Sequence, residues 1–163
     1  MATGNSLLIF KPFENEPPTT NPATPDLRNL HPCLDFDDTT GEFAIFSGVL
    51  PRHYAGGGIT VYVHYSATSA ITGTGGWLVA FERIGDGQQD LDADGFAADQ
   101  TITAATVPGT SGLVDILNVA ITDGANIDSI AVGELFRLRI TRNVAGDSAA
   151  ADLELVAVEL RET

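Results

Sequence analysis

The chain has 163 residues, a length typical of one domain, and carries 8 Lys and Arg against 22 Asp and Glu, a formal net charge of -14 at pH 7. A surface this acidic repels phosphate backbones and anionic lipid headgroups, so nucleic-acid binding and membrane-surface binding are not expected. The single cysteine, Cys33, excludes an internal disulfide and a cysteine-based zinc cluster. The apolar run at residues 7–10 is too short for a secretory signal or a membrane span, so we expect a soluble chain made in a cytoplasm.

Proline dominates the first part of the chain, with six of the eight prolines between Pro12 and Pro32. Because proline lacks an amide donor and restricts φ, residues 11–32 are predicted to form neither a helix nor a central strand. We therefore expect residues 1–33 to be an extended N-terminal arm that lies along a neighbouring surface, with a disordered tail as the alternative. The arm's expected partner-binding residues are its apolar side chains and paired prolines, namely Leu8, Phe10, Phe13, Pro17, Pro18, Leu27 and Leu30.

From residue 34 onward, short segments of β-forming residues alternate with glycine-containing turns. Alternation of apolar and polar residues is clearest at 59–66, 134–143 and 151–161, and further strands are predicted at 42–50, 76–84, 100–107 and 113–122. Residues 123–133 are predicted to form a loop or a short helical turn. Such regularly spaced strands without helical segments predict an all-β fold, an antiparallel jelly-roll-like β-sandwich over residues 34–163, with Trp77 in its core.

One acidic loop has a pattern typical of calcium ligands. Asp90, Asp92 and Asp94 alternate before Gly95, as carboxylates do at the start of an EF-hand loop. The twelfth position is Thr101, where an EF-hand needs a bidentate glutamate, and the flanking segments are predicted strands. We therefore expect a solvated acidic loop and no metal site, and keep a looser calcium site as the weaker alternative.

No catalytic signature is present in the sequence. His31, His53 and His64 lack the spacing of a zinc pair, and HExxH, GxSxG and P-loop motifs are absent. Neither an enzyme nor a cofactor is therefore expected. Three arginines, at positions 137, 139 and 142, share one predicted strand and should meet carboxylates of a neighbouring strand or of another subunit.

Five short segments carry a resemblance: NEPP at 15–18, DFD at 35–37, FSGVLP at 46–51, FER at 81–83 and RET at 161–163. With them the chain resembles tailed-phage virion structural proteins, most closely the head decoration (cement) proteins with a jelly-roll or β-sandwich domain. The resemblance implies a homotrimer on the outer capsid surface that binds the major capsid protein and stabilises the head by bridging capsid subunits. It also implies synthesis in the host cytoplasm and leaves open whether the protein sits on the head or the tail.

Two other function classes stay open. One is a receptor- or carbohydrate-binding β module of a phage fibre, for which Tyr54, Trp77 and the loop at residues 90–94 would be the binding residues. The other is an enzyme on a jelly roll, which would need a cleft of convergent histidine, arginine or carboxylate groups that the sequence does not locate.

Overall fold

The computed structural model describes residues 4–69 and 72–163 and contains ten strands. The strands are β1 (Ser6–Phe10), β2 (Thr24–Arg28), β3 (His31–Phe36), β4 (Phe43–Val49), β5 (Ile59–Ala67), β6 (Thr74–Ile84), β7 (Gln100–Thr106), β8 (Asp115–Ile121), β9 (Leu135–Arg142) and β10 (Leu153–Glu162). Two short 3-10 helices, Pro12–Glu14 and Ala125–Ile127, lie in the connections. Within the described ranges, no helix has the length and apolar character needed to cross a membrane.

The strands form two antiparallel sheets. The six-stranded sheet has the order β2-β3-β10-β5-β8, and β1 also pairs with β10; the four-stranded sheet has the order β4-β9-β6-β7. This arrangement confirms the antiparallel β-sandwich that the alternating segments predict.

The core lies between the two sheets and centres on Trp77. This side chain is fully buried and packs edge-on against Phe36 and Tyr65, at ring-centroid distances of 5.0 and 5.6 Å. Val79 and Phe81, which follow it at alternate positions of β6, are also fully buried. The prediction that Trp77 is a core residue is therefore confirmed.

The N-terminal segment differs from the expected extended arm on a neighbouring surface. Residues 6–10 form β1, which pairs with β10, and the expected boundary after residue 33 falls inside β3. Leu7 and Phe10 are buried, and the Phe10 ring stacks on Phe46 at a centroid distance of 5.4 Å. The reason is that residues 6–10 precede the prolines, so their amides are free to pair in a sheet. The prediction for residues 11–32 holds for β2, which contains Pro25 and lies at the sheet edge, but it is wrong at both ends of the range, where Pro12–Glu14 is a 3-10 helix and Pro32 lies in the inner strand β3. Pro32 is tolerated there because it pairs with β2, while β10 pairs with β3 only at Leu34–Phe36.

The arginines of β9 meet carboxylates of the same chain. Arg137 Nη1 lies 3.0 Å from Glu82 Oε2, Arg139 Nη2 lies 2.9 Å from Asp99 Oδ1, and Arg142 Nε lies 2.9 Å from Asp147 Oδ2. Of the two alternatives left by the sequence, contacts within the chain are therefore the ones observed.

Candidate functional site

A cavity of about 440 Å³ opens on the outer face of the six-stranded sheet. Its floor is formed by β10 and β5, where Glu154 lies directly opposite Ser66. The β2–β3 hairpin forms one wall through Pro32, and the segment before β8 forms the other through Ser111 and Val114. A concave site with apolar walls and a few convergent polar groups is typical of small-molecule binding sites.

A buried carboxylate and a guanidinium lie at the centre of this cavity. Glu154 Oε2 accepts hydrogen bonds from Arg28 Nη1 at 2.5 Å and from Ser66 Oγ at 2.7 Å. Arg28 Nη2 donates to Ser111 Oγ at 2.8 Å. The Glu154 side chain is 4% exposed and that of Arg28 is 34% exposed. The sheet and the loop therefore hold donors and an acceptor in fixed positions, with the guanidinium partly open to a ligand.

Gly112 is required for this arrangement. Its φ is +81°, and a Cβ on it would lie 2.9 Å from Arg28 Nε. Glycine adopts this backbone conformation without strain and leaves the space that the guanidinium occupies.

Potential ligand atoms of three residues lie close together at one side of the cavity. Asp26, Cys33 and Glu154 each place one potential ligand atom within 4.8 Å of the others. Burial, and after it the charge of Glu154, raises the pKa of the Cys33 thiol to about 11. Cys33 is therefore protonated at neutral pH and acts as a small buried side chain, not as a nucleophile.

Asp35, opposite Glu154 on β3, is affected by the same charges. Its Oδ1 is buried and has no hydrogen-bond partner among the described residues. Burial, followed by the charges of Asp152 and Glu154, raises the pKa of Asp35 to about 6. The folded state therefore binds this proton more tightly than the unfolded state does.

This shift predicts a pH-dependent effect of Asp35→Asn. Because the folded-state pKa lies above the unfolded value, Asp35 lowers stability as pH rises from about 4 to about 6. The variant should be more stable than the wild type by about 1–3 kcal/mol at pH 7 and equally stable near pH 4, as measured by urea unfolding. An exposed control, Asp94→Asn, should change the free energy of unfolding by less than about 0.5 kcal/mol at both pH values. A stabilisation by Asp35→Asn that is the same at both pH values would contradict the assignment.

The acidic loop at residues 90–94 is exposed. Asp90, Asp92 and Asp94 point into solvent, and Asp90 Oδ1 accepts a hydrogen bond from the Asp92 amide at 3.0 Å. Among the described residues, the groups of three potential ligand atoms within 4.8 Å are Asp26 with Cys33 and Glu154, and Asp37 with Asp38 and Asp152. Sequence spacing could not identify either group, because each joins residues more than a hundred positions apart.

The predicted arm residues separate into two sets. Phe10 is buried and Leu8 packs partly against the core, so these two stabilise the chain's own sandwich. The exposed set includes Phe13, Leu27 and Leu30, at 59%, 53% and 85%. Pro17 is exposed and lines a groove of about 320 Å³ with Phe13, whereas Pro18 is half-buried.

The aromatic residues named for a carbohydrate-binding module do not form its platform. Trp77 is fully buried, and Tyr54 is 7% exposed, with its hydroxyl donating to Asp123 Oδ1 at 2.7 Å. Neither ring can stack on a sugar. The cavity instead uses Arg28, Ser66 and Glu154, which carry no motif in the sequence.

No protein-family model matches the chain, and no curated protein matches it significantly. Solved structures do match in fold. The N-terminal CBM22-1–GH10 modules of Clostridium thermocellum endo-1,4-beta-D-xylanase 10B, complexed with xylohexaose, share 12% identity at a TM-score of 0.55, with 100% of this chain covering 29% of that one. The CBM35 from Cellvibrio japonicus shares 9% identity at a TM-score of 0.53, with 95% and 92% of the two chains covered. The CBM22-2 xylan-binding domain from Paenibacillus barcinonensis Xyn10C shares 14% identity at a TM-score of 0.50, with 96% and 99% covered.

The chain has a jelly-roll-like β-sandwich fold. At these identities the likeness concerns the fold, and function has to be argued from the site. The chain spans under a third of the length of the first of these structures, and nearly the whole of the other two.

Proposed function

We propose that this chain is a carbohydrate-binding β module that holds a sugar in the cavity on the six-stranded sheet. The observation that supports this proposal most strongly is that Arg28, Glu154 and the hydroxyls of two serines, Ser66 and Ser111, converge between apolar walls. Sugar hydroxyls both donate and accept hydrogen bonds, while the C–H faces of the ring pack on apolar surface. A cavity with charged hydrogen-bonding groups at its floor and Pro32 and Val114 at its sides suits both properties.

The same sheet face offers room for a longer chain of sugars. Along β5, the outward positions Tyr62 and His64 are partly exposed and lead from Ser66 at the cavity floor. Asn118 lies directly opposite Tyr62 on β8 and is exposed. These side chains do not line the cavity, but they place polar and aromatic groups on the same face of the sheet. The similar fold of modules that include a xylan-binding domain and one complexed with xylohexaose supports this proposal without specifying a sugar.

A bulky side chain at the cavity wall should abolish binding. Val114 is 53% exposed, so Val114→Trp should fold normally while filling the cavity. We expect affinity electrophoresis with xylan, β-glucan, galactan, galactomannan and chitosan to show retardation by at least one polysaccharide. The variant should weaken that binding at least about tenfold in calorimetry. Val49→Trp, at a residue 51% exposed on the four-stranded sheet, is the matched control and should bind as the wild type does. Retardation by none of the five polysaccharides would contradict the proposal.

A second candidate is the virion decoration protein that the sequence resemblance implies. The observation that favours it is the exposed apolar set Phe13, Leu27 and Leu30, together with the groove that Phe13 and Pro17 line. In this role these residues would contact a second copy of the chain within a homotrimer, and the trimer would bind the major capsid protein. Light scattering should then give a trimer mass that Phe13→Ser and Leu30→Ser together reduce to a monomer mass. A monomer at micromolar concentration for the unaltered chain would count against this role.

A further inference from the structure

Negative charges outnumber positive charges at and beside the cavity. Its one guanidinium, Arg28, is already paired with Glu154 at 2.5 Å, so the two formal charges cancel. Asp26, on β2, lies opposite Cys33 and has no salt bridge among the described residues. With His31, which also lines the cavity, counted as neutral, the cavity and the adjoining Asp26 together keep a net negative charge after the internal ion pair has formed.

An exposed carboxylate, that of Asp26, lies beside two residues that line the cavity, Cys33 and Glu154. Asp26 is exposed, and one of its oxygens, Oδ1, accepts the Leu27 amide at 2.7 Å. A potential ligand atom of Asp26 lies within 4.8 Å of one of Glu154. A ligand cation at this point would pair with the Asp26 carboxylate beside the neutral Arg28–Glu154 pair, whereas a ligand anion would meet the charge of Asp26 next to an arginine that is already paired.

We infer that the cavity selects its sugar by charge and takes a 2-amino-2-deoxy sugar with a free ammonium group in preference to a uronic acid. This inference rests on the proposed function and deepens it by naming the ligand class. The ammonium would donate a charge-assisted hydrogen bond to the exposed Asp26, while the sugar ring packs between Pro32 and Val114. A uronate would lose its hydration next to uncompensated negative charge and gain little from Arg28.

Calorimetry with three tetrasaccharides tests the inference at about pH 6 and near-physiological salt: glucosamine, N-acetylglucosamine and galacturonic acid tetramers. The glucosamine tetramer should bind at least about tenfold more tightly than the galacturonic acid tetramer, and N-acetylation should remove most of that advantage. Asp26→Asn should reduce the ratio of the glucosamine-tetramer affinity to the galacturonic-acid-tetramer affinity to about twofold. Val114→Trp should abolish binding of the glucosamine tetramer.

The net charge of the whole chain is itself negative, so a matched control is needed. Asp92→Asn makes the same change of charge in an exposed loop that packs on the four-stranded sheet through Phe96 and Arg139. It should leave the ratio of affinities unchanged. If Asp26→Asn and Asp92→Asn lower the ratio of affinities equally, the inference is overturned, because the preference would then come from overall charge.

The remaining outcomes separate the inference from the proposed function. Equal or tighter binding of the galacturonic acid tetramer overturns the inference while leaving a carbohydrate-binding module. Binding of a neutral polysaccharide, with no binding of the glucosamine tetramer, likewise overturns the inference and leaves the proposed function standing. If neither the tetramers nor any polysaccharide binds, the proposed function itself fails.

Discussion

Arg142→Ala should lower the free energy of unfolding by about 3–5 kcal/mol, the range typical of breaking a buried ion pair. Arg142 is 1% exposed, and its Nη1 donates to the Phe36 and Ala151 carbonyls at 3.0 and 2.9 Å. Its Nη2 donates to the Ala149 carbonyl at 2.8 Å. Alanine would leave these carbonyls without their donor and would leave the carboxylate of Asp147, 3% exposed, as an uncompensated buried charge. Urea unfolding followed by tryptophan fluorescence measures the loss, since Trp77 is the only tryptophan.

The same strand provides the control. Arg139→Ala removes a pair whose side chains are 26% and 39% exposed, so it should cost no more than about 1 kcal/mol. Adding Asp147→Asn to Arg142→Ala should recover part of the stability, because it removes the buried carboxylate charge that Arg142→Ala leaves without a partner. Equal effects of Arg142→Ala and Arg139→Ala would show that Arg142 does not hold the segment between β9 and β10 in place.

Phe10→Ala should destabilise the protein by about 3–5 kcal/mol, as expected for an aromatic side chain removed from a well-packed core. Phe10 is 6% exposed, stacks on Phe46, and meets Phe136 edge-on at a centroid distance of 6.5 Å. Its removal opens a cavity between β1 and the four-stranded sheet. Thermal and urea unfolding should both show the loss.

Phe13 is the matched control for Phe10, because it lies three residues along the chain and is 59% exposed. Phe13→Ala should change the free energy of unfolding by less than about 0.5 kcal/mol. If both variants were equally mild, β1 would not contribute to the core, and residues 1–33 would behave as the separate arm that the sequence predicts.

The predicted charge selection and the predicted stability effects concern different parts of the molecule. Arg142 and Phe10 lie in the core and at the connection into β10, whereas Asp26 lies beside the cavity. Variants at Asp26 should therefore change ligand affinity with little effect on unfolding, which lets the binding experiments be interpreted without a correction for stability.

Much of the fold could be predicted from residue alternation. The middle of strand β5 alternates, so Val61 and Val63 are buried while Tyr62 and His64 are partly exposed. Pro25 correctly indicated that its segment would not lie in the middle of a sheet. These features are local, because side-chain periodicity and the missing proline donor act on the strand that carries them.

Alternation alone misassigned β10. A strict period places Glu154 on the same face as Val156, Val158 and Leu160, yet the structure has a bulge between Leu155 and Ala157. The extra residue shifts the register, so Val158 and Leu160 face the core together with Leu153 and Leu155. Glu154 is thereby left on the outer face, where it forms the cavity floor.

The sequence by itself determined the β-sandwich, the buried Trp77 and the acidic surface, because these follow from composition and from the two-residue period of strands. Only the tertiary structure decided that residues 6–10 complete the six-stranded sheet and that Arg28 meets Glu154, 126 positions away. Pairing between distant strands depends on register, and register here is set by a bulge and by the packing of two sheets. The candidate site therefore had no signal within any one segment of the chain.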